Sequence, residues 1–222
     1  MSNIEKWSKI IASEISKKLS LDDDNEEVLA YGTFAFLQMA ISIFMIIIFG
    51  IILDVLKEII LISFSAAILR KYSGGAHATT PMNCAISGAI VFGGIALIVK
   101  HIIMKIDYVY ILVMLFMTFA FTFIVMIKHS PVGSVNKPLR KEANRKRLKK
   151  QSLECTFLFF ILIIAFVIKY LLTKNFYWQM IAVCISSGIA GQSITLVSLG
   201  HYIIDKLEWV LRGTKKIMRR AS

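Results

Sequence analysis

The sequence predicts an all-α polytopic membrane protein with about six transmembrane helices, the second of them short, behind an amphipathic interfacial helix. Three observations predict it. Apolar residues make up 57% of the chain and mean hydropathy is +0.70, more apolar surface than a soluble domain of this length can hide. Apolar runs of bilayer-crossing length recur along the chain, and most of the charge, net +12, lies in the segments between them. The length fits one membrane domain over residues 1–222. Residues 1–30 lack a compact apolar core with a small-residue cleavage site, so no cleavable signal peptide is expected.

Residues 1–21 read as the amphipathic helix. Ile4, Trp7, Ile11 and Ile15 recur at helical spacing, and Lys6, Lys9 and Lys17 turn away from them. Such a helix lies in the membrane interface or packs on the protein surface. Asp22, Asp23, Asp24, Glu26 and Glu27 then offer carboxylates to a helix start. The first span follows over 33–53. The second segment, 57–69, holds an apolar run from Ile59 to Leu69 only. At ~1.5 Å per residue that run falls well short of the ~30 Å hydrocarbon core, so the segment is tilted or sunk within the protein. Further spans are expected at 85–104, 108–127, 153–172 and 177–199, with a basic loop at 128–151 and a basic tail. The last span carries Ser186, Ser187, Gly188, Gly191, Gln192, Ser193, Thr195 and Ser198, small and polar residues that suit close helix packing or a substrate-facing groove.

With both termini on one side, only Lys57, Lys100, Lys105, Lys169 and Lys174 of the 26 Lys and Arg fall on the other. That asymmetry places both termini and the 70–84 segment in the cytoplasm, in a multi-pass cell-membrane protein. Basic residues flank apolar spans without interleaved aromatics, which favours contact with anionic membrane lipids over nucleic acid. In the loop, Lys137, Arg140, Lys141, Arg145, Lys146 and Arg147 serve topology, or attract an acidic peptide.

The three cysteines differ in setting. Cys155 and Cys184 sit in apolar runs, where a thiol packs like a small hydrophobe. Cys84 closes the polar stretch RKYSGGAHATTPMNC, residues 70–84. No CxxC pair exists, so no metal site, dithiol motif or cofactor is expected. His77 precedes Cys84 by seven residues, which on an unbroken helix would separate them by about 10 Å. Gly74, Gly75 and Pro81 oppose such a helix and let the chain fold back. A Cys–His pair suits nucleophilic catalysis, because imidazolium stabilises the thiolate and imidazole can protonate a leaving amine. By spacing alone the His also fits a solvated loop and the Cys a packed helix. Asn83, Gln38 and Gln192 are all open as a third, orienting residue.

The string Arg70-Lys71-Tyr72-Ser73-Gly74-Gly75-Ala76-His77-Ala78, followed by Cys84 and later by Pro131, Asn136, Lys137 and Pro138, resembles the accessory gene regulator B (AgrB) family. The resemblance covers nearly the whole chain and is most specific in the His–Cys segment. It implies a membrane cysteine endopeptidase that removes the C-terminal tail of an AgrD-type quorum-sensing precursor peptide and supports its cyclisation to a thiolactone or lactone. It also implies Cys84 as nucleophile, His77 as base, Arg70 and Gly75 as supporting residues, and a homodimer. A small transporter or permease subunit is the alternative. The spans lack the central charges that mark ion or proton paths, which weighs against it.

Overall fold

A computed structural model describes residues 3–75, 80–133 and 142–221, with side chains from residue 4 to 211. Its regular structure is helical: α1 (Asn3–Leu19), α2 (Asp23–Ile52), α3 (Leu56–Ser73), α4 (Pro81–His101), α5 (Tyr108–His129), α6 (Glu142–Thr173), α7 (Phe176–Ile194) and α8 (Ser198–Ala221), with a 3₁₀ turn at Ile103–Lys105. Four of these, α2, α4 with its 3₁₀ extension, α5 and α6, are long and apolar enough to cross a membrane. Counting the bent pair α7 and α8 as one broken span makes five. The remaining member of the expected six is α3. Its 18 residues reach about 27 Å at 1.5 Å each, and its first and last turns carry Lys57, Glu58, Arg70 and Lys71.

The short helix is the most deeply packed beside α7. Ile59, Ile62 and Leu69 of α3 are fully buried with Val183, Cys184 and Ile189 of α7, among residues from α4, α5 and α6. A side chain at Gly188 would strike the Ile62 carbonyl, so the α3 and α7 backbones nearly touch there. Small residues allow that approach, and in an apolar medium close contact is what holds helices together. The Ser/Gly-rich stretch of α7 is therefore largely a packing face: Ser186, Gly188, Gly191, Gln192 and Ser193 are buried.

The helix ends follow local chemistry. The Asp22 carboxylate accepts from Asn25 N–H at 2.9 Å and caps α2. Around α1 the burial differs from the apolar pattern. Ser8, Ala12 and Ser16 are buried on the side that meets α2, while Trp7 is 62% exposed. Small residues set the helix–helix contact, and the large apolar ones are left for the surroundings. The α6 helix starts at Glu142, so Arg145, Lys146 and Arg147 are exposed helical residues ahead of the apolar stretch. The Lys146 ammonium pairs with Glu142 at 3.0 Å one turn away. Residues 212–221, expected as a basic tail, continue helix α8, which leaves α7 at 86°.

Candidate active site

The end of α3 and the turn after it carry Arg70, Gly74 and Gly75, and the first turn of α4 carries Cys84. Helix α3 stops at Ser73 because Gly74 turns to φ +69°, its N–H donating to Arg70 O at 2.9 Å. Gly75 follows at φ +140°. Both values favour glycine, since a Cβ is strained there. Contacts enforce the same choice. Val132, after α5, donates its N–H to Ser73 O at 2.9 Å and forms a parallel bridge with Gly74. A Cβ on Gly74 would collide with the Val132 carbonyl, and one on Gly75 would lie 2.5 Å from Thr195 Oγ1.

Gln192 of α7 reaches into this turn and is 1% exposed. Its Nε2 donates to Gly74 O at 2.6 Å and to Ser73 Oγ at 3.0 Å. Its Oε1 faces Arg70 Nη1 at 3.5 Å, a long contact. One turn on, Thr195 Oγ1 donates to Gln192 O at 2.7 Å.

Cys84 lies in the first turn of α4. Thr80 caps that helix by accepting from Asn83 N–H at 3.2 Å, Pro81 takes the first helical position, and Cys84 N–H donates to Thr80 O at 3.0 Å. Proline suits that position because its missing N–H would have no partner there. The thiol is half-buried, whereas Cys155 and Cys184 are buried. It lies at a helix N-terminus, within Coulombic reach of the Arg70 guanidinium.

The expected site residues thus divide. Arg70 and Gly75 meet at the turn that Gln192 holds, and Cys84 lies within Coulombic reach of Arg70. His77 belongs to residues 76–79 and lies outside the described residues, as do Lys137, Arg140 and Lys141. Of the candidates for a third residue, Gln192 joins the Arg70–Gly74 turn and Asn83 is buried in the first turn of α4. Gln38 is half-buried on α2, its carbonyl accepting from Ser42. Thr195 belongs to the small and polar stretch of the last span and Ser73 to the 70–78 string, whereas Val132 lies outside every motif of the sequence. The glycine pair signals a turn there, but its partners come from remote parts of the chain. Beside the turn, an open cleft of about 490 Å³ runs from His129 to the bend between α7 and α8, lined also by Leu196, His201 and Asp205. Among the described residues, no three His, Cys, Asp or Glu converge on a metal-sized site.

Comparisons with known proteins agree with the residues. The family model for accessory gene regulator B matches residues 8–196. A Clostridium perfringens (strain SM101 / Type A) protein named "Putative AgrB-like protein" is 33% identical over 210 residues, covering 92% of this chain and 96% of its own. "Putative AgrB-like protein 2" of Clostridium perfringens (strain 13 / Type A) is 32% identical over the same shares. No solved structure matches the chain. The chain belongs to the accessory gene regulator B family, which is involved in processing quorum-sensing peptides.

Proposed function

We propose that the protein is a membrane-embedded cysteine endopeptidase that cuts the C-terminal tail from an AgrD-type precursor through an acyl-enzyme on Cys84. One observation carries the reading: of three cysteines, the half-buried one begins a helix beside an arginine, and the other two are buried in the bundle. Buried structural thiols are inert, and accessible thiols in electropositive surroundings are the reactive ones.

The Cys84 thiolate attacks the carbonyl carbon ahead of the tail. The C–N bond breaks and His77 gives its proton to the leaving amine. The peptide is then held as a thioester. A thiol or hydroxyl of the same peptide gives its proton to His77 and attacks that carbonyl; the acyl C–S bond breaks, a thiolactone or lactone closes, and Cys84 leaves as thiolate. Forming a thioester from an amide is uphill, so the cycle draws on loss of the tail or on a tightly held product. Excluding water from the site protects the thioester from hydrolysis. A position at the end of the short, deeply packed α3 suits that need. The charge asymmetry sets this end and both termini in the cytoplasm of a multi-pass cell-membrane protein. Exposed Arg145, Lys146 and Arg147, with the basic residues before them, draw in an acidic tail and anionic lipid. The working unit is a homodimer.

The test is to co-express the chain with an AgrD-type precursor and follow the peptide by mass spectrometry. The parent protein releases the tail, and Cys84→Ala abolishes release. Continued release by Cys84→Ala would overturn the mechanism.

A further inference from the structure

We propose that Gln192 is a positioning residue for this reaction. Its buried carboxamide accepts from the Arg70 guanidinium and fixes the Gly74–Gly75 turn. The inference rests on the peptidase reading above.

Two observations carry it. A primary amide inside a bundle is costly unless its polar atoms are used. Helix α7 holds two buried glutamines. Gln179 leaves its Oε1 without a partner, whereas Gln192 directs both polar atoms of its amide at residues 70–74, on a different helix. The carboxamide therefore acts outside its own helix. The second observation is the space at Gly75. The volume a Cβ would need there is filled by Thr195 Oγ1 and by Gln192 Nε2, the latter 3.2 Å away. The turn is seated against the end of α7 and cannot slide without displacing the amide.

What this does for chemistry follows from charge and reach. A guanidinium near Cys84 stabilises thiolate, but Arg carries a long chain with many rotamers. An acceptor behind it narrows that choice. Donation to the Gly74 carbonyl fixes the peptide plane from which the chain runs through residues 75–79 to Thr80. Catalytic groups misplaced by about 1 Å can cost ~100-fold in rate.

The experiment uses the purified full chain in lipid nanodiscs, a synthetic AgrD-type precursor, and a water-soluble alkylating agent. Gln192→Met keeps the volume and removes the hydrogen bonds. We expect kcat to fall about 100-fold with KM within about threefold, since the loss is in the transition state. Alkylation of Cys84 slows, while buried Cys155 and Cys184 stay protected. Arg70→Lys combined with Gln192→Met loses no more than the worse single change, because both act through one unit. Should Gln192→Met fail to insert, Ser73→Ala removes a single hydrogen-bond partner and lowers kcat about fivefold. Unchanged kcat and Cys84 alkylation in the variant that inserts would overturn the proposal. So would new labelling of Cys155 and Cys184 with Cys84 reactivity intact, which marks a residue that only holds the bundle together. Tail release by Cys84→Ala rejects the peptidase reading itself, whatever Gln192 does.

Discussion

Helix α3 is entered and left in different ways. At its Leu56 end a tight turn brings Val55 N–H to Gly50 O at 2.9 Å, and Asp54 sits at φ +53°. Apolar contact does the holding: Val55 and Ile59 are fully buried, and Gly93 of α4 packs near Leu53. An ion pair on the surface joins Asp54 Oδ2 to Lys100 Nζ at 2.9 Å, with the Asp54 side chain 99% exposed. At the Ser73 end the holding is polar and buried. A carboxamide, a hydroxyl, a guanidinium and two glycines converge on one turn. Apolar packing tolerates small adjustments. Interior polar networks are costly unless their members are satisfied, and they fix one geometry. On the proposed function, the contrast separates an end that serves stability from an end that serves chemistry.

Substitution at the two ends should separate these roles. The largest effect is expected from Gly74→Ala. At φ +69° and ψ −149° the backbone lies in a region essentially open to glycine alone, costing other residues about 1–3 kcal/mol, and the new Cβ meets the Val132 carbonyl. Tail release should fall at least ~100-fold while the protein still inserts, as measured by peptide mass spectrometry against membrane abundance. Equal loss of activity and abundance would erase the distinction between the ends. An intermediate effect is expected from Gly50→Ala. Its Cβ would lie 2.8 Å from Ile59 Cγ2, 2.9 Å from Leu56 Cδ1 and 3.0 Å from the Leu56 main chain. Overpacking of this kind costs about 1–3 kcal/mol. The thermal midpoint in detergent should drop, with activity per folded molecule retained. A catalytic defect at unchanged stability would contradict the apolar reading of that end.

The smallest effect belongs to Asp54→Asn. The hydrogen bond and charge of Lys100 hold the Asp54 carboxyl below its ordinary range. A depressed carboxyl contributes stability above its unfolded value of 3.8 and loses that contribution as pH falls through the folded value. The difference in thermal midpoint between the parent and Asp54→Asn should therefore be small, constant at neutral pH, and vanish on acidification below the ordinary carboxylate range. Salt should shrink it too, since exposed pairs are screened. A large difference that survives in acid would mean the pair is not what joins α3 to α4.

Much of this was readable from residues alone, for identifiable reasons. Hydropathy marks helices because a backbone in lipid must satisfy itself, and the short run before Arg70 announced a helix that needs protein around it. The Gly74–Gly75 pair announced a turn, since few other residues adopt those dihedrals. The partners of that turn were not readable. Val132 and Gln192 are separated from it by most of a bundle, and no local pattern tells one buried glutamine from another. Nor did the apolar stripe of α1 reveal its contact, because Ser8, Ala12 and Ser16 pack closely through their smallness. Hydropathy records affinity for lipid, not which face meets a neighbouring helix.

The bend after α7 has its own consequence. Gly200 is pressed so closely on Ile194 and Thr195 that any side chain there would collide with the main chain. The 86° elbow is therefore fixed by sterics. If α7 stands upright in the bilayer, α8 must lie flat along its boundary, with Tyr202, Trp209 and Val210 outward and Lys206 over the Tyr202 ring. Such a helix works as a float. It ties the depth of the last turn of α7, and everything that turn touches, to the lipid surface, so that membrane thickness or headgroup composition reaches the Gly74–Gly75 turn through one rigid joint.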